Sequence, residues 1–174
     1  MKRRNVASLI GTLAVLGTVL APGGVASAAT APEKYATHDS AAAVLRAAGI
    51  NWTSSGGCSD RIVKTCTSFE GINKATVNGI IDFKNLSKCA ITITGGTEVG
   101  HAAGPESHAN GYKVDIKPTT CVDTWIVKNM TKGSNRGSDP RWVSAVGDEY
   151  VKESSPSHWD ITYKVGCLVA GLCF

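Results

Sequence analysis

The sequence predicts a small single domain of the α+β class, a mainly antiparallel sheet with helices on one face, stapled by disulfides. Three observations carry this expectation. Helix-period and strand-period segments alternate irregularly along the chain, a pattern that packs into a helix layer on a sheet. Six cysteines (Cys58, Cys66, Cys89, Cys121, Cys167, Cys173) all follow a leader-like N-terminus, and an even count in a secreted chain reads as a disulfide framework. Removing that leader leaves about 146 residues, enough for one domain with its own core.

The leader is expected over residues 1–28. Lys2, Arg3 and Arg4 form a basic start, Val6 to Leu20 is almost wholly apolar or small, and Ala26-Ser27-Ala28 fits the small-x-small cleavage rule. The apolar run is short and broken by Pro22-Gly23-Gly24, which disfavours a membrane span. The expectation is therefore a secreted protein, extracellular or associated with the cell wall, with domain 29–174 free of the membrane after cleavage. The full chain carries a formal charge of +4. Loss of the three leader cations lowers this to about +1, too little to argue for nucleic acid.

Along the mature chain, Asp39 is positioned to cap an alanine-rich helix over Ser40 to Ala48, ended by Gly49. His38 beside it reads as a surface residue. Ser54 to Asp60 is a Ser/Gly loop pinned at Cys58. Thr67-Ser68-Phe69-Glu70 has the form of a capping box. Phe69, Ile72, Thr76, Ile80, Phe83 and Leu86 then recur at helical spacing and predict a helix over about 68–85. Cys89 to Thr94 alternates and is β-branched, hence a strand. Gly95-Gly96 closes it and opens a loop, Thr97 to Asn110, that carries His101 and His108. Tyr112 to Ile116 is a second strand. Thr119 or Thr120 caps a helix with Val122, Trp125, Ile126 and Met130 on its apolar side. Trp142 to Val151 reads as a hairpin turning at Gly147-Asp148, and His158 to Tyr163 as the last strand. Six cysteines allow fifteen pairings; the sequential one, 58 with 66, 89 with 121 and 167 with 173, is the expectation here.

The chemistry concentrates in His108-Ala-Asn-Gly-Tyr-Lys-Val-Asp115 and, about forty residues on, His158-Trp159-Asp160. Two imidazoles and a carboxylate without thiolate suit a catalytic zinc, which takes three protein ligands and keeps a fourth position open. Residues seven apart on one strand face opposite ways. His108 and Asp115 meet only if His108 lies in the loop and the chain reverses before Tyr112, with Gly111 as pivot. Asp160, two residues from His158, shares its face and can orient an imidazole. Each histidine has an ordinary alternative as a solvated or hydrogen-bonded side chain.

These blocks, together with Ile93-Thr-Gly-Gly-Thr-Glu98, resemble the zinc D-alanyl-D-alanine carboxypeptidase family, which includes VanY-type carboxypeptidases and phage L-alanyl-D-glutamate endopeptidases. The resemblance spans about residues 68–163. It implies His108, Asp115 and His158 as ligands of one zinc ion, a small α+β fold, and peptidoglycan stem peptides or similar peptides as substrate of a monomeric hydrolase. Where the family places its general base, three residues before the last ligand, this chain has Ser155. The expected base is Glu153, brought in by a bulge over Ser154 to Ser157, with Asp160 and Glu149 as alternatives. Where the family carries an arginine this chain has Glu98, read as a solvated loop carboxylate. Arg61, Arg136 or Arg141 would supply the missing cation. His101 is expected to stabilise the oxyanion or bind substrate. The competing readings are a non-catalytic secreted binding protein that keeps the fold and the zinc, and a disulfide-rich inhibitor without metal.

Overall fold

The computed structural model describes residues 31–164 and the backbone of 167–168 and 172–173. The leader expected over 1–28 and the side-chain pairing of Cys167 with Cys173 lie outside the described residues. Helix α1 spans His38–Ala47, α2 Lys74–Ser87 and α3 Thr120–Asn129. Strands β1 (Asn51–Trp52), β2 (Thr92–Gly95), β3 (Lys113–Ile116), β4 (Thr131–Lys132), β5 (Arg141–Val143), β6 (Glu149–Ser154) and β7 (Ser157–Thr162) form one sheet in the order β1-β2-β3-β7-β6-β5-β4. Among the described residues only the β1–β2 pair is parallel. Two short strands, β8 (Cys167–Leu168) and β9 (Leu172–Cys173), pair separately. The α+β expectation holds. Among the described residues no helix is long and apolar enough to cross a membrane.

Successive strand residues face opposite sides of a sheet, and this sheet sorts them by chemistry. Val114, Ile116, Tyr150, Trp159 and Ile161 point to one side and are buried. They meet Ala41 and Leu45 of α1, Val77, Ile80 and Phe83 of α2, and Val122 and Ile126 of α3. Burying each large aliphatic side chain stabilises the fold by about 1.5–3 kcal/mol. Trp159 also donates its indole N–H to Asp123 on α3 at 2.7 Å, which ties β7 to the helix layer. The other side of the sheet carries mainly polar groups, with Val151 buried opposite Asp160.

Four local expectations are corrected. The α1 cap is Thr37, whose hydroxyl accepts from the Ser40 amide, with Asp39 already inside the first turn. Helix α2 starts at Lys74, not near 68. Thr67 donates its hydroxyl to the Thr53 carbonyl instead of capping, and Phe69 and Ile72 fill the core from an irregular segment. His38 is half-buried, stacks on Phe69 at 4.9 Å between ring centroids and accepts the Phe69 amide, so it is not a plain surface residue. Cys58 pairs with Cys66 and Cys89 with Cys121, as expected. The latter closes a 32-residue separation, which constrains the unfolded chain by up to about 3.5–4 kcal/mol.

Candidate metal centre

The polar side of the sheet collects the chemistry by cross-strand register. Asp115 of β3 lies opposite Asp160 of β7, and His158 of β7 lies opposite Glu153 of β6. Asp160 and His158, two residues apart, share a face. Gly95 of β2 is the other neighbour of Asp115; a Cβ there would lie 2.5 Å from Asp115 Oδ2, so only glycine leaves room for the carboxylate. His108 arrives from the turn ahead of β3. Gly111 takes φ +81°, and its amide donates to the His108 carbonyl at 2.8 Å. The chain reverses there as the spacing required, and His108 and Asp115 come together.

The geometry at the centre is specific. His108 Nε2 lies 3.2 Å and His158 Nε2 3.5 Å from the same Asp115 oxygen, Oδ1. The opposite ring nitrogen of each histidine meets a backbone carbonyl, Gly96 O at 2.6 Å for His108 and Pro156 O at 2.8 Å for His158. A carbonyl only accepts, so Nδ1 carries the hydrogen in both rings and the neutral tautomer leaves its Nε2 lone pair for a ligand. His108 Nε2 and Asp115 Oδ1 are buried, and their mutual angles make no hydrogen bond; neither has another hydrogen-bond partner among the described residues. Buried polar atoms are seldom left so. Burial alone would lower the His108 pKa, but Asp115 and Asp160 outweigh it and raise it to about 10, so the site draws a positive charge.

A third histidine lines the mouth. His101, His108 and Asp115 offer ligand atoms all within 4.8 Å of one another. The His101 ring, however, stacks on that of His108, with centroids 3.8 Å apart and planes 16° from parallel. Imidazole lone pairs lie in the ring plane, so the His101 ring would have to turn for both stacked rings to reach one ion. His101 instead bridges carboxylates, Nε2 to Glu98 at 3.2 Å and Nδ1 to Asp115 at 3.6 Å.

Glu98 corrects an expectation. It is 3 % exposed, not solvated. It accepts the amides of Ser68 and Gly96 and faces His101. Burial would raise its pKa, and these hydrogen bonds lower it instead, so it stands as a carboxylate. Glu153 also arrives differently than expected. The β6–β7 hairpin runs in register to Ser154 opposite Ser157 without a bulge, and Glu153 reaches His158 Nε2 at 3.2 Å as its direct neighbour. Its other oxygen meets Arg136. Glu149 pairs with Arg141 at 3.2 Å, away from the centre, and Arg61 turns to the Ala109 carbonyl. Of the three arginines, Arg136 alone lines the groove.

Asp160 is held by Lys113 at 3.0 Å and Arg136 at 3.2 Å, and lies 3.7 Å from His108 Nε2. Burial opposes its ionisation, but His108, Lys113 and Arg136 keep its pKa far below the usual range. Lys113 escaped the sequence reading, although its place two residues before Asp115 puts it on the same face. Glu98, Asp115, Glu153 and Asp160 thus stand against two fixed cations, Lys113 and Arg136. With neutral imidazoles two negative charges remain, matching a divalent cation.

No protein-family model, curated protein or solved structure matches this chain. The argument therefore rests on the residues themselves. His101, His108 and Asp115, the group whose ligand atoms lie close enough together to hold a metal ion, open with His158 into a groove of about 1120 Å³ that is also lined by Arg136, Glu153 and Asp160.

Proposed function

We propose that this chain is a secreted zinc-dependent peptidase acting on peptide bonds of bacterial cell-wall peptidoglycan. The observation that carries the reading is the shared orientation of His108 and His158. Each is fixed through Nδ1 by a backbone carbonyl, and each turns Nε2 to Asp115 Oδ1. His108, Asp115 and His158 would hold the ion, with His158 preferred to the stacked His101. Two imidazoles and one carboxylate without thiolate favour zinc with an open position.

When bound, the ion supplies Lewis acidity, polarising the scissile carbonyl and lowering the pKa of water toward neutrality. Glu153 takes the proton of the attacking water and returns it to the departing amine nitrogen. Its place beside His158 puts the carboxylate within hydrogen-bond range of the centre. His101, oriented by Glu98 at Nε2 and 26 % exposed at the side chain, would turn Nδ1 from its 3.6 Å approach to Asp115 to donate to the developing oxyanion or to substrate. Lys113 and Arg136 hold Asp160 ionised behind His108. The class of bond and the cell-wall substrate come from the resemblance to D-alanyl-D-alanine carboxypeptidases and related endopeptidases.

Metal quantification tests the centre. Wild type is expected to bind one zinc per chain and Asp115→Ala none; equal occupancy in both would end the reading. Release of new amino groups from purified peptidoglycan is expected from wild type and not from Glu153→Ala or His108→Ala. The pairing of Glu153 with Arg136 favours a second reading, a zinc-holding binding protein without turnover. Full zinc with no amine release is its signature.

A further inference from the structure

Beyond the metal centre the groove continues across β2 to the loop closed by Cys58 and Cys66. Ser55, Lys64, Thr65, Thr94 and Lys117 line this arm. Lys117 follows Asp115 by two residues at the end of β3, and its amide donates to Thr92 of β2. Lys64 belongs to the disulfide-closed loop and packs against Gly100, in the loop that carries His101. The arm shares one groove with the centre, and its lining residues carry two ammonium groups and three hydroxyls.

The charges on this arm differ from those at the centre. Lys113 and Arg136 are tied to Asp160 and Glu153. Lys64 and Lys117 are exposed, and neither has an ion-pair partner among the described residues. Glu98, which lines the same groove, is buried, with its oxygens taken by the Ser68 and Gly96 amides and by His101. Farther along the groove, Glu106 is engaged by Lys164. A divalent ion at the centre would cancel the remaining carboxylate excess and leave the groove positive on the Lys64–Lys117 side.

We propose that this arm is a subsite for a carboxylate-bearing side chain, so that the groove selects acidic peptides. The inference rests on the peptidase reading for its occupant class, peptide, and adds the charge. Ammonium and hydroxyl donors around an open arm recognise a carboxylate through charge-assisted hydrogen bonds, and they steer anionic ligands toward the groove before contact.

The probe is a set of N-acetylated hexapeptides in which one glutamate moves through the six positions, with the all-glutamine peptide as reference. Binding to the zinc-supplemented full chain is measured by calorimetry at low salt and at high salt. At one position at least, glutamate is expected to bind about five- to tenfold tighter than glutamine, the range for two exposed charge contacts. High salt and the Lys64→Glu/Lys117→Glu variant should each reduce that preference to less than about twofold. Lys128→Glu, on the exposed flank of α3, should keep it. Absence of glutamate preference in wild type, absence of binding to any peptide, or a preference that survives in the double variant overturns the proposal. Peptidase failure reads differently: no amine release, with the glutamate preference intact. Zinc content of the double variant, expected at the wild-type level, separates loss of the subsite from loss of the fold.

Discussion

Gly111→Ala puts the geometry of the centre under the most direct strain. Gly111 sits at φ +81°, where a side chain costs about 1–2 kcal/mol. Space is also missing: an added Cβ would meet Gly71 O at 2.5 Å, Asn73 N at 2.9 Å and Ile72 Cα at 3.0 Å, all backbone atoms with little freedom to yield. Any shift of the turn lengthens two hydrogen bonds to the Gly111 carbonyl, from Asn73 N at 3.0 Å and from Thr76 Oγ1 at 2.8 Å, each contributing about 0.5–1.5 kcal/mol. Together these give a loss of about 3–4 kcal/mol. In a domain of this size that lowers the melting temperature by about 10 °C. His108 is three residues upstream and bonded to the same turn, so zinc affinity should fall at least about tenfold, as when a ligand's support is lost. Urea unfolding with disulfides intact and competition against a zinc chelator measure both. A variant within 0.5 kcal/mol of wild type and with undiminished zinc affinity would refute the pivot.

Two further outcomes follow from the charges. Glu98 has its pKa lowered from the ordinary 4.5 in the folded chain, so the stability it contributes is present above that value and lost as pH falls below it. The gap in melting temperature between wild type and Glu98→Gln should therefore narrow between about pH 5 and pH 3; a gap independent of pH would contradict an ionised Glu98. His108, held up to about 10 without metal, carries a proton at pH 7 that must leave when Nε2 becomes a ligand. Zinc titration in buffers of different ionisation enthalpy should show release of about one proton per ion, with affinity rising as pH rises; release of none would mean that His108 is neutral before binding or is not a ligand.

How much was legible in the sequence follows the range of the interactions. The seven-residue spacing from His108 to Asp115 demanded a reversal, and Gly111 was the residue that permits one. Strand parity placed His158 with Asp160, and cysteine order gave two pairings that the fold contains. The helix over 68–85 began too early because Phe69 and Ile72 carry helical spacing while filling the core from an irregular segment; periodicity reports burial, not backbone conformation. Glu98 was misread because its partners, the Ser68 amide and His101, converge only after β2 docks on the irregular segment ahead of α2. Glu153 was reached through the base position that the family resemblance implies, but its route to His158 is a cross-strand pairing that needed the hairpin register. Arg136 stood among three candidate arginines, and only the course of the 133–140 loop distinguishes it.

The alternation of β3, β6 and β7 divides labour within single strands: odd and even positions answer to different selective demands. Changes at His158, Asp160 or Lys113 would alter the polar face while Trp159, Ile161 and Val114 keep the helices seated. New chemistries can thus be sampled on this scaffold without rebuilding its interior. Inserting or deleting one residue within β7 has no such latitude, since it would exchange the two sets of side chains beyond that point and abolish both roles together.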